Sequence, residues 1–202
     1  MFDRVLRVPK ERLLIPLATG PLRNLDPTLV TVAAALIGVA AAAAAWQQQA
    51  AAAVFLWALN RLLDGLDGTL ARHNNRQSDL GGYLDIVLDT LIYAIVPIGL
   101  ALGVHTVGGY LALALLLASF YINASSWMYL AALLEKRSQG AQANGELTTI
   151  TMPGGLIEGA ETIVFFTLFL LLPSWLVPLF SLMALLVIVT TCQRIVWAIK
   201  HL

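Results

Sequence analysis

Residues 60–90 read NRLLDGLDGTLARHNNRQSDLGGYLDIVLDT, and this stretch sets two pairs of aspartates near the facing ends of two apolar segments. Asp64 and Asp67 are three residues apart, so they share one face of a helix. Asp85 and Asp89 are four residues apart and share a face of the next helix. The polar run between the segments is short, so we expect two antiparallel neighbouring helices whose four carboxylates converge on one small volume.

Carboxylates packed together at membrane depth are costly and repel one another, and a bound divalent cation removes both problems. Ligands that are all oxygen favour Mg²⁺, Mn²⁺ or Ca²⁺ over zinc. Glycines surround the pairs and allow a ligand or a neighbouring helix to approach the backbone; they are Gly65, Gly68, Gly81 and Gly82. Arg72 is placed to bind phosphate oxygens with its guanidinium fork. Such a site suits phosphoryl chemistry, in which one carboxylate accepts a proton from the nucleophile.

The composition of the whole chain indicates a membrane protein. Of 202 residues, 59% are hydrophobic and 12% are charged, with a mean hydropathy of +0.80. A soluble domain carries about 25% charged residues. The zero net charge gives no indication of nucleic-acid binding. We predict an all-α, polytopic membrane protein with six transmembrane helices, at 28–46, 50–71, 80–103, 107–134, 155–172 and 175–198.

The chain is predicted to be a single domain over 1–202, with an amphipathic N-terminal segment at 1–24 and a six-helix core at 25–202. Apolar residues between 2 and 17 recur at near-helical spacing among basic ones, which is typical of a segment on the membrane surface. Basic residues other than Arg61 fall before span 1, in the second and fourth loops, and near the C-terminus. The positive-inside rule therefore predicts cytoplasmic termini and a cytoplasm-facing site, in what we interpret as a bacterial inner membrane.

The run from Asp64 to Asp89 matches, at all eight fixed positions, the pattern D-x-x-D-G-x-x-A-R-x8-G-x3-D-x3-D. This pattern resembles the signature of the CDP-alcohol phosphotransferase family, the class I CDP-alcohol phosphatidyltransferases. The likeness covers nearly the whole chain, since the family's six-span core resembles the predicted spans. Residues 26–31, DPTLVT, resemble the family's start of span 1, often P-N-x-x-T. Thr31 matches, whereas Thr28 departs from the usual Asn, and helix capping is the simpler interpretation of Thr28.

The resemblance implies transfer of a phosphatidyl (substituted phosphate) group from a CDP-alcohol to an acceptor hydroxyl, with release of CMP, in phospholipid biosynthesis. The implied ligands of two Mg²⁺ or Mn²⁺ ions are Asp64, Asp67, Asp85 and Asp89. The implied CDP-binding residues are Asp64, Gly68, Ala71, Arg72 and Thr31. Asp89 is also the implied catalytic base, and the division between ligand and base stays open. The compact core resembles members that use CDP-diacylglycerol, and the family implies a homodimer among membrane lipids.

Candidate acceptor residues are Glu158, Glu161, Asn123 and Arg194. The run GGLIEGAET at 154–162 resembles a bacterial branch of the family. Its two glutamates either contact a polyol or cationic acceptor, or simply favour the dipole of a first helical turn. Asn123 either faces the acceptor cavity or joins helices, and Arg194 either anchors a phosphate or pairs with a glutamate. Because glutamates repel phosphate, we expect a small, unphosphorylated alcohol.

Two other classes of protein place aspartates in membranes. An intramembrane Mg²⁺-dependent prenyltransferase carries its aspartate motifs on distant helices, whereas both pairs here fall within 26 residues. A cation transporter with intramembrane carboxylates leaves Arg72 and the fixed glycines without a role. Both are weaker alternatives to the phosphotransferase.

Overall fold

The computed structural model describes residues 14–140 and 154–202, and these residues form helices and no strands. The helices are α1 (Pro27–Trp46), α2 (Ala50–His73), α3 (Asp79–Val104), α4 (Val107–Lys136), α5 (Gly159–Leu171) and α6 (Leu176–His201), with a 3₁₀ turn at Pro173–Trp175. Residues 14–19 are also helical. The predicted all-α class is confirmed, and the helix bounds follow the predicted segments closely except at α5.

Side-chain caps fix where α1 and α3 begin. The Asp26 carboxylate accepts hydrogen bonds from the Thr28 and Leu29 amides at 2.9 and 3.2 Å. Capping by Thr28 was therefore the wrong interpretation, because Asp26 holds the cap and Pro27 occupies the first turn. Ser78 caps α3 by accepting from the Gly81 amide at 3.1 Å, which starts that helix just before its acidic face.

Helix α1 packs against both α2 and α3, and it lies between these two helices over much of their length. Small residues bring α1 and α3 together: a side chain at Gly99 would meet the Ala42 carbonyl, and one at Gly103 would lie 2.8 Å from the Trp46 oxygen. The amide of Asn60 on α2 donates to the Ala34 carbonyl at 2.7 Å. The expectation that α2 and α3 pack directly needs correction, because their backbones flank α1 and meet mainly through long side chains.

The buried core lies among the apolar halves of the helices. Its largest side chains form an aromatic cluster in which Trp57 stacks on Phe166 at 5.0 Å and Phe169 meets Phe180 edge-on at 4.7 Å. Trp57 also donates to Thr167 at 3.2 Å, which joins α2 to α5. This packing fixes α2, the helix that carries the first aspartate pair, against the second half of the chain.

Within residues 14–140 and 154–202, four segments are long and apolar enough to cross a membrane: α1, α3, α4 and the stretch from Pro173 to His201. The described chain is thus that of an integral membrane protein. Helix α5 has 13 residues and begins at Gly159, so the span predicted from residue 155 starts too early. Helix α2 has 24 residues but carries charged residues in its second half. The predicted surface segment lies largely in residues 1–13, outside the described residues.

Side-chain contacts show which loops lie at the same end of the bundle. The Gln48 amide donates to the Gly103 carbonyl, so the α1–α2 and α3–α4 connections lie together. Arg76 in the α2–α3 loop donates to the Leu25 carbonyl at 3.2 Å, and Arg137 donates to the Leu202 carbonyl at 2.7 Å. These contacts set the α2–α3 loop beside the start of α1, and the end of α4 beside the C-terminus.

Candidate functional site

A small cavity lies between α1, α2 and α3, and three of the four motif aspartates line it. Asp64 comes from α2, Asp85 and Asp89 come from α3, and Thr31 comes from α1. Asp67 interacts electrostatically with Asp85 and Asp89 from one turn further along α2. The helix spacing read from the sequence therefore does bring the two acidic faces together.

Asp67 is the most buried of these carboxylates, with 5% of its surface exposed. Its Oδ1 accepts from the Gly68 amide, and its Oδ2 is buried without a hydrogen-bond partner among the described residues, since the nearby Thr31 hydroxyl donates to the Pro27 carbonyl instead. A buried carboxylate oxygen left unsatisfied is costly, and such groups commonly mark a place where a ligand or ion belongs. This orphaned oxygen, among further carboxylates, fits a cation that takes oxygen ligands.

Arg61 reaches into the acidic group from one turn before Asp64. Its Nη2 donates to Asp89 Oδ1 at 2.7 Å, and its Nη1 lies 3.7 Å from Asp64 Oδ2. The guanidinium is 4.8 Å from the centre of the Trp57 ring and donates to the Tyr93 hydroxyl at 3.0 Å. As the side chains stand, no three His, Cys, Asp or Glu groups in the described ranges form a ready metal cage.

The small residues of the motif shape the side of α2 that carries Arg72. A Cβ at Gly68 would lie 3.0 Å from Arg72 Nη1, so any larger residue would push the guanidinium out of its present position. Ala71 is partly buried beside it. Thr31 is buried at the cavity, and its hydroxyl donates to the Pro27 carbonyl at 3.0 Å. Gly68, Ala71 and Arg72 thus form one continuous surface of α2.

The structure brings together two of the predicted acceptor residues. Arg194 on α6 is 3% exposed, and its Nη1 donates to the Asn123 Oδ1 of α4 at 2.7 Å. Thr191 donates to the same oxygen at 3.3 Å. Of the interpretations left open, the joining of helices by Asn123 is thus realised in the structure.

The two glutamates form a reciprocal cap on α5. The Glu158 amide donates to Glu161 Oε2 at 3.1 Å, and the Glu158 side chain caps the first turn in return. Glu158 Oε1 also accepts from the Gly155 amide at 2.9 Å. The structure thus shows both glutamates at the first turn of α5, as one of the two interpretations predicted. Glu158 also interacts electrostatically with Arg194.

Arg61 and Tyr93 contact the acidic site but were not among the site residues predicted from the sequence. The signal was available: Arg61 lies three residues before Asp64, and Tyr93 lies four residues after Asp89, so each shares its aspartate's helix face.

Taken together, the fold and the site define a helical membrane protein with an acidic cavity between α1, α2 and α3. The chain matches the CDP-alcohol phosphatidyltransferase family over residues 24–197, and it belongs to that family. The inner membrane protein YnjF of Escherichia coli (strain K12) is 39% identical over 179 residues, which is 87% of this chain and 83% of that protein. The resemblance inferred from the motif is thereby confirmed.

Solved structures of Mycobacterium tuberculosis phosphatidylinositol phosphate synthase (PgsA1) share the fold. The form with CDP-DAG bound superposes with a TM-score of 0.66 at 23% identity, over 91% of this chain and 92% of that one. The complex with manganese and citrate gives a TM-score of 0.64 at 24% identity, over 90% of this chain and 87% of that one. The helical fold of this chain is therefore shared with these structures.

Proposed function

We propose that this protein transfers a phosphatidyl group from CDP-diacylglycerol to the hydroxyl of a small, unphosphorylated alcohol in phospholipid biosynthesis, with release of CMP. The observation that carries this proposal is the cavity in which Asp64, Asp85 and Asp89 meet beside the buried Asp67. Family membership supplies the reaction class. The CDP-DAG complex of PgsA1 supports the choice of donor.

Two Mg²⁺ or Mn²⁺ ions are proposed as cofactors, held by Asp64, Asp67, Asp85 and Asp89. The orphaned Oδ2 of Asp67 and the all-oxygen donor set suit such ions. When bound, they would neutralise the pyrophosphate oxygens of the donor. The manganese complex of PgsA1 supports this assignment.

Asp89 is proposed as the base. Its Oδ1 is held by Arg61 at 2.7 Å, and its side chain is 28% exposed, so the carboxylate is oriented and also accessible. It takes the proton of the acceptor hydroxyl. The acceptor oxygen then bonds to the lipid-linked phosphorus, the bond from that phosphorus to the CMP oxygen breaks, and CMP leaves with the electron pair.

The nucleotide is proposed to lie along the small-residue surface of α2. Gly68 and Ala71 allow close approach, Arg72 binds phosphate oxygens with its fork, and Thr31 lies opposite on α1. Asp64 lines the cavity between them.

The acceptor is proposed to bind between α4, α5 and α6. Asn123 and Arg194 are joined there by a hydrogen bond of 2.7 Å, and Glu158 and Glu161 lie at the start of α5. Since Arg194 is already engaged by Asn123 and interacts with Glu158, its charge is partly compensated. That compensation supports an acceptor without a phosphate.

Helices α1 to α6 are proposed to cross a bacterial inner membrane, with both termini and the site on the cytoplasmic side. The contacts of Arg76 and Arg137 support this orientation, because they place the basic α2–α3 loop beside the start of α1 and the basic end of α4 beside the C-terminus. We also propose a homodimer. Light scattering of protein in mild detergent tests that state, and a particle of one chain's mass would contradict it.

The function is tested with purified protein, CDP-diacylglycerol, Mg²⁺ or Mn²⁺, and a panel of alcohols with their phosphate esters. CMP and lipid product are measured together. Asp85→Asn should abolish both, whereas Asp79→Asn, an exposed aspartate outside the cavity on the same helix, should leave both near wild type. Full turnover in EDTA, or CMP formed equally well without any alcohol, would contradict the mechanism. Turnover of prenyl diphosphate, or ion flux without CMP, would favour the alternative classes.

A further inference from the structure

Arg61 is a buried cation beneath the acidic site. The residue is 8% exposed, and aromatic rings flank it, with Trp57 at 4.8 Å and Tyr93 at 5.3 Å from the guanidinium carbon to the ring centres. Its Nε donates to Asn60 Oδ1 at 2.8 Å, and its Nη1 donates to the Tyr93 hydroxyl at 3.0 Å. The guanidinium is thus fixed by neutral groups on one side, while its other side faces the carboxylates.

The carboxylates that Arg61 contacts are two of the four proposed metal ligands. Asp89 Oδ1 lies 2.7 Å from Nη2, and Asp64 Oδ2 lies 3.7 Å from Nη1. A metal ion that drew these oxygens together would place its own positive charge within a few ångströms of the guanidinium. Two like charges at that distance repel, and the repulsion is strong where water is scarce.

We propose that Arg61 is an intrinsic counter-ion of the site that competes with the metal for Asp64 and Asp89 and so sets the metal affinity. It stabilises the acidic cavity without metal, and it keeps the affinity lower than four carboxylates alone would give. Arg61 is therefore a positioning residue that acts through Asp89 and Asp64. The inference rests on the metal site of the proposed function.

The test is Mn²⁺ binding by calorimetry, with thermal unfolding in EDTA and in Mn²⁺, on wild type, Arg61→Gln and Arg61→Lys. Arg61→Gln should bind Mn²⁺ about tenfold more tightly, the lower end of what one adjacent charge does to the proton affinity of a carboxylate. Its melting temperature should fall in EDTA and recover with Mn²⁺. Arg61→Lys keeps the charge and should stay within about threefold of the wild-type affinity. Arg137→Gln controls for net charge, since it lies at the exposed end of α4.

The outcomes separate the two proposals. If wild type binds no Mn²⁺, the metal site of the proposed function is wrong, and this inference fails with it. If wild type binds Mn²⁺ while Arg61→Gln binds it equally or more weakly, only the counter-ion role is overturned. Should Arg61→Gln fail to accumulate folded, purification in Mn²⁺ is expected to rescue it. A variant that stays unfolded with Mn²⁺ would show a purely structural role for Arg61 and overturn the inference.

Discussion

Replacing Asp67 with Asn should make the metal-free protein more stable while it destroys metal-dependent donor binding. Asp67 Oδ2 is buried without a hydrogen-bond partner among the described residues, and its charge lies near Asp85 and Asp89. Asn keeps the size of the side chain and an oxygen for the Gly68 amide, but it removes the negative charge. Because two like charges about 4 Å apart repel by about 1–4 kcal/mol in surroundings between water and protein, we expect relief of this repulsion to stabilise the metal-free protein by about 1–3 kcal/mol.

Asp89→Asn should have the opposite effect on the metal-free protein. It takes away the carboxylate that Arg61 contacts at 2.7 Å, and breaking a fully buried pair in this way costs roughly 3–5 kcal/mol. Asp89 is 28% exposed, and Asp64 remains 3.7 Å from the guanidinium, so solvent and the second carboxylate reduce the loss. We expect a loss of about 1–2 kcal/mol after that reduction.

The assay is thermal unfolding in mild detergent, with EDTA and then with saturating Mn²⁺. For a chain of this size, each 1 kcal/mol corresponds to about 2–4 °C in melting temperature. In EDTA the expected order is Asp67→Asn above wild type above Asp89→Asn. Mn²⁺ should raise the wild type past Asp67→Asn, because the variant lacks a charged ligand. Asp79→Asn, with an exposed aspartate, is the matched control and should follow wild type in both buffers.

Two results would refute this reasoning. If Asp67→Asn melts below wild type in EDTA, the orphaned carboxylate is not a source of strain in the metal-free fold. If Asp67→Asn keeps full Mn²⁺-dependent donor affinity, Asp67 is not a metal ligand, whatever its effect on stability.

Three further results are expected. We expect Asp64, Asp67 and Asp85 mainly to hold the metal and Asp89 mainly to act as the base, so Asp89→Asn should lose about 10²-fold or more in turnover while calorimetry shows CDP-donor affinity largely retained. Normal turnover would remove Asp89 as the base. Arg72→Lys should weaken donor binding by roughly tenfold, because an ammonium cannot reproduce the guanidinium fork, and unchanged affinity would count against a phosphate contact. The topology is tested in a Cys192→Ser background, which removes the exposed native thiol. A cysteine placed at Gln48 should react with an impermeant thiol reagent from outside the cell, and one placed at Asn75 should not. The reverse pattern would show that the predicted orientation is inverted.

Much of the fold was predictable because lipid restricts the choices. A backbone in hydrocarbon must satisfy its own hydrogen bonds, so long apolar runs imply helices whose ends fall at polar breaks. The breaks at Gln47–Gln49 and around Ser78 are accordingly where α1 and α3 are bounded. The start of α5 was placed too early, because the apolar run at Leu156 and Ile157 continues into an irregular segment. Hydrogen bonds to Gln193 and Thr190 hold the amides of those two residues there.

By itself, the sequence determined the family, the all-helical class and the identity of the acidic residues, because helix periodicity and motif spacing are local properties. The tertiary structure decided which helix lies between the two acidic faces and what neutralises them. Helix α1 packs between α2 and α3 because Gly99 and Gly103 of α3 allow close contact with the backbone of α1. Whether two helices can approach this closely depends on the side chains of both, so neither helix sequence alone predicts it. Arg61 faces Asp89 across that arrangement, 28 residues away along the chain. Helix spacing shows that Arg61 shares a face with Asp64, but its pairing with Asp89 on another helix depends on how the helices pack.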